Sequence, residues 1–170
     1  MTPSGFLVMG VSGAGKSSLG RQLARKLGWD FLDADDFHPP QNIAKMAAGI
    51  PLTDSDRVPW LAMLNDQLLS AQKTGMHLVL ACSALKEKYR LQLIEGMEGI
   101  ALIYLKGTYD LIWSRMSERE QHFMKPEMLQ SQFLALEEPR NALILDISLP
   151  LEEMIDKILH YYSDSEESIT

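Results

Sequence analysis

Three glycines near the amino terminus are followed by a lysine and a serine, in the order Gly10, Gly13, Gly15, Lys16 and Ser17. Their spacing fits G-x-x-x-x-G-K-[ST], the phosphate-binding loop of nucleotide-triphosphate enzymes. The glycines let backbone N–H groups turn toward a polyphosphate through conformations that a Cβ would obstruct. Lys16 would reach the β- and γ-phosphates, and the Ser17 hydroxyl would bind Mg²⁺. The motif therefore predicts an ATP site, with a glycine-rich turn lacking a ligand as the alternative. The predicted nucleotide contacts are Gly10, Ser12, Gly13, Ala14, Gly15, Lys16, Ser17 and Ser18.

A pair of aspartates, Asp33 and Asp35, follows the second apolar run in the stretch Asp-Ala-Asp-Asp-Phe-His. In an extended chain, residues two apart lie on one face, so both carboxylates could orient a hydroxyl and hold the water shell of a metal ion. The alternative is an acidic turn that caps the next helix, which would also account for Asp36. His38 precedes two prolines and is either a substrate ligand or a packing residue of the turn.

Arg57 lies at the start of a predicted long helix, where the positive end of the helix dipole does not favour a cation. An anionic partner explains this position better, and a planar guanidinium suits a carboxylate. That partner is either a substrate or one of two neighbouring aspartates, Asp54 and Asp56.

Ser83 and Arg90 follow the third predicted strand. Ser83 can cap the next helix, on which Lys86 and Arg90 are four residues apart and share a face. Because this helix begins at the carboxyl end of a strand, we expect Arg90 to bind an anionic substrate. Cys82 is expected to be a small buried residue rather than a nucleophile.

Arg115 and Arg119 lie on a predicted helix after the fourth strand, and His122 follows in a short polar segment. Several cations between two helices are what a lid over phosphates needs. We therefore predict nucleotide contacts for Arg115 and Arg119, a catalytic role for Arg119 and a substrate contact for His122. The alternative is a solvated helix end with ion pairs to Glu118 and Glu120.

Five strand-like runs alternate with stretches of helical periodicity. They cover residues 6–9, 29–33, 77–82, 101–105 and 142–147. This alternation predicts an α/β fold in which a five-stranded parallel sheet carries helices on both faces. Ligands bind at the carboxyl ends of such strands, which directs attention to the residues just after each run.

Two helices are predicted between the second and third strands. One covers residues 42–48, with Ile43 and Met46 facing inward. The other contains Pro59, which is tolerated in the first turn of a helix. Its predicted buried stripe consists of Leu61, Leu64, Leu68 and Ala71.

The length of 170 residues suits a single domain, which we predict over residues 1–163, with a lid at about 118–126 and a disordered tail at 164–170. The net charge is −7 and the pI about 5.1, which argues against a nucleic-acid partner. A single cysteine excludes an intramolecular disulfide. No apolar run reaches the ~18 residues of a membrane span, and the first strand leaves no room for a signal peptide. We expect a cytoplasmic protein without a membrane partner.

In its motifs the sequence resembles the gluconokinases, within the shikimate-kinase-like and nucleoside-monophosphate-kinase-like P-loop kinases. The matching stretches are MGVSGAGKS, FLDADDFHP, NIAKMAAGIPLTDSDRVPWL, CSALKEKYR, YLKG, HFMKPEMLQSQF and LEEP. They occur in order from residue 6 to about residue 146. The phosphate loop is shared by many families, whereas the segment from Asp33 to Leu61 is specific to this one.

The resemblance implies a three-layer P-loop kinase fold and transfer of the ATP γ-phosphoryl group to the 6-hydroxyl of D-gluconate. The product, 6-phosphogluconate, would feed the pentose phosphate or Entner–Doudoroff routes. Lys16 and Mg²⁺ on Ser17 would neutralise the phosphates, and Asp33 or Asp35 would orient the acceptor hydroxyl. The implied substrate ligands are Asp35, His38, Arg57, Ser83, Arg90 and His122. Similar enzymes are commonly dimers, which suggests a homodimer.

Three alternatives remain open from the sequence. Another small-molecule P-loop kinase would share the fold, although no glycine triplet follows the third strand as in shikimate kinases. A nucleoside monophosphate kinase is disfavoured because that strand ends in Cys-Ser-Ala rather than in an Asp-Gly-x-Pro-Arg type signature. A nucleotide-dependent regulatory module would need an Asn-Lys-x-Asp or Asp-x-x-Gly motif, and neither occurs.

Overall fold

A computed structural model describes residues 3–119 and 126–167, with side chains up to residue 163. In this part of the chain, strands and helices alternate along the sequence. They are β1 (Gly5–Met9), α1 (Lys16–Leu27), β2 (Asp30–Asp33), a one-turn 3₁₀ helix (Ala34–Phe37), α2 (Pro40–Ala47), α3 (Asp54–Lys73), β3 (Leu78–Ala81), α4 (Glu87–Leu93), β4 (Ile100–Lys106), α5 (Tyr109–Ser117), α6 (Pro126–Ala135), β5 (Leu143–Asp146) and α7 (Leu151–Glu167).

The five strands form one parallel sheet in the order β2-β3-β1-β4-β5. The central strand β1 pairs on both sides, so that Leu7 lies opposite Leu80 of β3 and Leu102 of β4. Every strand ends within one residue of the run predicted from the sequence. The predicted α/β fold with a five-stranded parallel sheet is confirmed.

Alternate residues of β1 enter two separate cores, one on each face of the sheet. Phe6 and Val8 pack with apolar side chains of α1, α5, α6 and α7. Leu7 and Met9 pack with side chains of α3 and α4. Because side chains of a strand alternate between faces, this division gives the predicted three layers. The predicted stripe of α3 lies in the second core, with Leu61, Leu64 and Leu68 buried and Ala71 partly buried.

Helix α2 turns a polar side chain toward the protein, contrary to the predicted inward positions of Ile43 and Met46. Ile43 is 53 % and Met46 39 % exposed, whereas Asn42 is only 2 % exposed. The Asn42 amide donates to the backbone carbonyl of Asp56 at 3.0 Å and lies 3.4 Å from Nδ1 of His38. The prediction was wrong because a hydrogen-bonded amide, rather than an apolar side chain, joins this short helix to α3.

Helix α3 begins at Asp54, more than one turn before Pro59. Its start is fixed by a capping box, in which the Thr53 hydroxyl accepts from the N–H of Asp56 and the Asp56 carboxylate accepts from the N–H of Thr53. Pro59 therefore lies in the second turn, where it cannot donate to the carbonyl of Ser55. The helix continues past the proline because its buried residues Trp60, Leu61, Leu64 and Leu68 pack into the core.

Helix α4 begins at Glu87 with Lys86 at its N-cap, whereas Ser83 was predicted to cap it. Ala84 in the intervening loop has a φ of +44°, in the left-handed region that a right-handed helix cannot include. This residue keeps the chain after β3 out of helical geometry. The loop therefore separates Ser83 from the helix.

Helix α7 continues to Glu167, past residue 164, where the polar tail was expected to begin. Neither glycine nor proline interrupts residues 151–167, so the backbone meets no strong helix breaker. Residues 168–170 lie outside the described part of the chain, and the tail stays a prediction there. Among the helices that the structure describes, none is long and apolar enough to cross a membrane.

Candidate functional site

A cleft opens at the carboxyl ends of β1, β2 and β3, where the parallel sheet predicted the ligand site. The cleft is lined by the loops after these three strands and by Arg119, which follows α5. The lining residues are Ser12, Gly13, Gly15, Lys16, Ser17, Ser18, Asp33, Asp35, Ala81, Cys82, Ser83 and Arg119. The cleft thus brings backbone N–H groups, two cations and two carboxylates together.

The loop between β1 and α1 presents unpaired N–H groups. Gly13 and Gly15 have φ values of +80° and +93°, which an L side chain rarely adopts. Within the residues that the structure describes, the N–H groups of Gly13, Gly15, Lys16, Ser17 and Ser18 have no hydrogen-bond acceptor. Three of them belong to the first turn of α1, whose dipole favours an anion. This arrangement suits a phosphate group.

Lys16 is held against its own loop. Its Nζ donates to the backbone carbonyl of Val11 at 3.0 Å. Burial lowers the pKa of Lys16, and the negative charges of Asp35 and Asp33 act in the opposite direction. The ammonium therefore lies at the phosphate loop, in the cleft that Asp33 and Asp35 also line.

Asp33 connects the end of β2 to the phosphate loop. Its Oδ2 accepts from the Ser17 hydroxyl at 2.5 Å, and its Oδ1 accepts from the backbone N–H of Asp35 at 3.0 Å. The second bond caps the 3₁₀ helix, so the chain does not stay extended as the face-sharing argument assumed. Both aspartates nevertheless line the cleft, and the capping alternative is also realised.

The Ser17–Asp33 pair fits a Mg²⁺ ion, since both groups offer the hard oxygen ligands that Mg²⁺ prefers. No cluster of three or more metal-ligating His, Cys, Asp or Glu side chains occurs in residues 3–119 and 126–167. Mg²⁺ in kinases is commonly held by one or two protein groups together with substrate phosphates, so a two-residue site is sufficient.

Asp35 projects into the cleft with 84 % of its side chain exposed, so that a ligand can reach the carboxylate. Partial removal from water and the charge of Asp33 raise its pKa, while the charges of Lys16 and His38 lower it. A carboxylate with raised proton affinity suits the acceptance of a proton from a hydroxyl group.

His38 packs in the turn after Asp35. Its side chain is 6 % exposed and stacks on Trp60, with 4.1 Å between ring centroids. Burial lowers its pKa, Asp35 raises it and Arg57 lowers it. Its Nε2 lies 3.9 Å from Oδ1 of Asp35. His38 therefore packs in the turn, which was one of its two predicted roles. The other role, a contact to substrate, stays a prediction.

Arg57 does not pair with either neighbouring aspartate. Its Nη1 donates to the Leu52 carbonyl at 2.7 Å and to the Tyr89 hydroxyl at 3.4 Å, and its guanidinium lies 5.3 Å from the centre of the Tyr89 ring. The carboxylates of Asp54 and Asp56 are engaged by lysines instead. In the described part of the chain, the guanidinium therefore has no carboxylate partner.

Asp54 links the start of α3 to the start of α4. Its carboxylate accepts from the Tyr89 hydroxyl and the Lys88 ammonium, and it lies 3.5 Å from Nζ of Lys86. The hydrogen bonds from Lys88 and Tyr89 hold the pKa of Asp54 well below its usual range. Sequence reasoning missed Tyr89 because it is 35 residues from Asp54, and no local spacing connects them.

Ser83 lines the cleft and Arg90 does not. Arg90 is 7 % exposed, and its Nη1 donates to the carbonyls of Ala84 and Leu85 at 2.9 and 3.1 Å. Burial lowers its pKa. The loop with its left-handed Ala84 turns two carbonyls toward α4, and the guanidinium satisfies them. The expected anion ligand therefore supports the loop that carries Ser83.

Arg119 lines the cleft from beyond the end of α5, which ends at Ser117 rather than extending through Arg119 as predicted. Arg115 is half-buried on α5. The pKa of Asp146 is lowered chiefly by hydrogen bonds from Ser148, and the charge of Arg115 adds to this effect. His122 and most of the predicted lid lie outside the described residues. The lid stays a prediction.

Sequence reasoning also missed a glutamine on α6. Gln132 hydrogen-bonds both the backbone N–H and the hydroxyl of Ser12, 120 residues earlier. It lies in the stretch MLQSQF, which contributed to the family resemblance without a role for any residue. The available signal was the position of Gln132, three residues after Leu129 and directly before Phe133. Both of these residues pack in the core, so Gln132 had to lie near buried residues.

Comparisons with known proteins agree with this geometry. A family model described as shikimate kinase matches residues 12–157. A probable gluconokinase of Mus musculus is 49 % identical, with 81 % of this chain and 84 % of that protein covered. The thermoresistant gluconokinase of Escherichia coli K12 is 46 % identical, with 88 % of each chain covered. The crystal structure of a gluconokinase from Sinorhizobium meliloti 1021 superimposes with a TM-score of 0.87 at 41 % identity, covering 98 % of this chain and 95 % of that one.

Proposed function

Since this chain belongs to the gluconokinases, within the shikimate kinase family, we propose that it transfers the γ-phosphoryl group of ATP to the 6-hydroxyl of D-gluconate. The products are 6-phospho-D-gluconate and ADP. The observation that supports this most directly is the cleft, where free N–H groups and Lys16 face the carboxylates of Asp33 and Asp35. Phosphoryl transfer requires mainly positioning and charge stabilisation, and these groups supply both.

The phosphate loop binds the triphosphate in this proposal. The N–H groups of Gly13, Gly15 and the first turn of α1 donate to phosphate oxygens, and Lys16 neutralises charge on the transferred group. Ser17 and Asp33 would hold Mg²⁺ together with phosphate oxygens. The ion would supply positive charge to the β- and γ-phosphates.

Asp35 orients the acceptor hydroxyl and accepts its proton. Sequence reasoning left Asp33 and Asp35 as equal candidates. Both oxygens of Asp33 already accept hydrogen bonds, whereas the carboxylate of Asp35 is open to the cleft. The raised pKa of Asp35 supports the same assignment.

Arg57 binds the carboxylate at the other end of gluconate. The substrate is a six-carbon chain with its reacting hydroxyl and its charge at opposite ends, so it needs an acceptor at one end and a cation at the other. His38 lies 3.9 Å from Asp35, and the charge of Arg57 contributes to lowering its pKa. Ser83 faces the same cleft, and Arg90 acts by supporting the loop of Ser83.

The remaining contacts belong to the predicted lid at about residues 118–126. Arg119 faces the phosphate site, and Arg115 and His122 complete the proposed set of cations and ligands. Residues 1–163 act as one domain in this proposal. The cytoplasm, where ATP is plentiful, is the proposed compartment, and a homodimer is the proposed assembly.

A coupled assay of ADP release tests the reaction. With Mg-ATP, gluconate should be the preferred acceptor over shikimate and nucleoside monophosphates. Lys16→Ala should abolish turnover with little change in the melting temperature, since Lys16 lines the cleft and is not part of either apolar core. Lys73→Ala, at an exposed end of α3, is the matched control and should behave as wild type. If shikimate or a nucleoside monophosphate were the preferred acceptor, the proposed substrate would be wrong. If Lys16→Ala kept full activity, the proposed role of the phosphate loop would be wrong.

A further inference from the structure

Helices α5 and α6 both contact the phosphate loop. From α5, Met116 lies so close to Gly13 that a Cβ at this glycine would be 2.5 Å from the Met116 Cγ. From α6, the side chain of Gln132 reaches Ser12. The loop is therefore supported by an apolar contact from one helix and a polar contact from the other.

Gln132 uses both ends of its amide on Ser12. Its Oε1 accepts from the backbone N–H at 2.7 Å, and its Nε2 donates to the Oγ at 2.9 Å. Two hydrogen bonds from one planar group fix direction as well as distance. The orientation of the Ser12 backbone is thereby tied to α6.

The Ser12 N–H belongs to the same rigid peptide unit as the Val11 carbonyl. In this trans unit the two groups point in opposite directions. The Val11 carbonyl accepts from Nζ of Lys16 at 3.0 Å and from the N–H of Ala14 at 3.2 Å. When Gln132 holds one side of the peptide, it also sets the direction of the carbonyl that anchors Lys16.

We propose that Gln132 is a positioning residue for phosphoryl transfer, which acts on Lys16 through the Val11–Ser12 peptide. This inference rests on the proposed function in taking Lys16 as the group that neutralises the phosphates. Without Gln132, the peptide loses its hydrogen bond to α6, and only the Ala14 N–H still orients the Val11 carbonyl that anchors the Lys16 ammonium. Binding of the triphosphate should weaken, whereas the gluconate end of the cleft should not change.

Gln132→Leu tests this proposal, since it removes both hydrogen bonds at similar side-chain size. Calorimetric titration with Mg-ATP alone should show a loss of affinity of about tenfold, the effect of one or two ordinary hydrogen bonds. The KM for gluconate should stay within about twofold of wild type, and the melting temperature without ligands should fall by no more than a few degrees. Gln130→Leu, at an exposed site on the same helix, is the matched control and should bind Mg-ATP normally.

Ser12→Ala separates the two hydrogen bonds because it removes only the hydroxyl. Its effect on Mg-ATP affinity should be smaller than that of Gln132→Leu, and combining the two changes should add nothing further. Wild-type ATP affinity in Gln132→Leu would overturn the proposal. Equal losses for ATP and gluconate together with a lower melting temperature would also overturn it, since they indicate general packing. The ATP titration needs no gluconate, so it decides the role of Gln132 even if gluconate proves not to be the substrate.

Discussion

At the scale of single residues, Asp33 and Asp35 both line the cleft but have different surroundings. Asp33 accepts hydrogen bonds at both oxygens, from Ser17 and from the N–H of Asp35. Asp35 is open to the cleft, and its pKa is raised. The first carboxylate would suit a fixed role beside a bound Mg²⁺ ion, and the second would suit proton transfer.

Asp35→Asn should keep gluconate binding and lose turnover, because an amide cannot accept the hydroxyl proton. General-base catalysis contributes roughly 10²–10⁴-fold, so kcat should fall by that factor while the gluconate KM changes little. In wild type, kcat should also fall as the pH drops through the raised pKa of Asp35, since the protonated acid cannot act as a base. Steady-state rates across pH check both points. If kcat of the Asn variant still fell at low pH as in wild type, the proton acceptor would be a group other than Asp35.

Arg57→Lys should raise the gluconate KM strongly. A lysine cannot reproduce the two parallel hydrogen bonds of a guanidinium on a carboxylate, and losing a charge-assisted bond of ~1.5–3 kcal/mol corresponds to roughly 10- to 150-fold. The ATP KM should stay within a small factor. Arg140→Lys, at an exposed site, serves as the control. Titrations of each substrate at saturating amounts of the other distinguish these effects, and an unchanged gluconate KM would mean that the substrate carboxylate is bound elsewhere.

At the scale of elements, polar contacts rather than a shared apolar core join α2 to α3. The Asn42 amide bonds the carbonyl of Asp56, and Lys45 of α2 lies 2.8 Å from the Asp56 carboxylate. The same carboxylate caps α3 through the N–H of Thr53. One side chain therefore fixes where α3 begins and how α2 lies against it.

Asp56→Asn should destabilise the protein at neutral pH but not in acid. The Lys45 ammonium and the Thr53 N–H lower the pKa of Asp56 to about 2, from an ordinary value of 3.8. A lowered folded-state pKa means that the stabilisation is complete above the ordinary value and disappears as the pH falls from about 4 to about 2. Melting temperatures of wild type and variant should differ at pH 7 and converge toward pH 2. Asp66→Asn, on the exposed side of α3, should match wild type throughout, and a gap that persisted in acid would exclude the ion pair as its cause.

The sequence predicted best the elements that local patterns determine. β1 is buried along its whole length, so it appears as a continuous apolar run, and the phosphate loop is set by glycines at fixed spacing. The inward face of α2 was predicted wrongly because a buried asparagine replaces the apolar pattern. The role of Arg90 depends on the left-handed conformation of Ala84, and the role of Gln132 depends on Ser12, 120 residues away. Local residue spacing reveals neither role.

At the scale of the whole molecule, the protein carries a net charge of −7, yet its cleft would bind two anions. Charges on the remote surface are largely screened beyond about 8 Å at physiological salt, whereas charges inside the cleft are screened less. Lys16 and Arg119 line the phosphate end, and Arg57 has no carboxylate partner in the described residues. The field that a ligand meets is therefore set by these local cations rather than by the total charge.

The cleft is built from loops that follow β1, β2 and β3, so a ligand bound there should stabilise the sheet as one unit. We expect a single thermal transition that Mg-ATP moves as a whole. At about 100 times its Kd a ligand adds ~2.7 kcal/mol to the free energy of unfolding. For a chain of 170 residues, each kcal/mol raises the melting temperature by about 2–4 °C, so the shift should be roughly 5–11 °C. Scanning calorimetry with and without Mg-ATP measures this shift. Lys16→Ala should melt like wild type without nucleotide and show a smaller shift with it, whereas Lys73→Ala should show the full shift. A second transition that nucleotide leaves in place would contradict a single domain, because part of the chain would then unfold independently of the sheet that carries the phosphate loop.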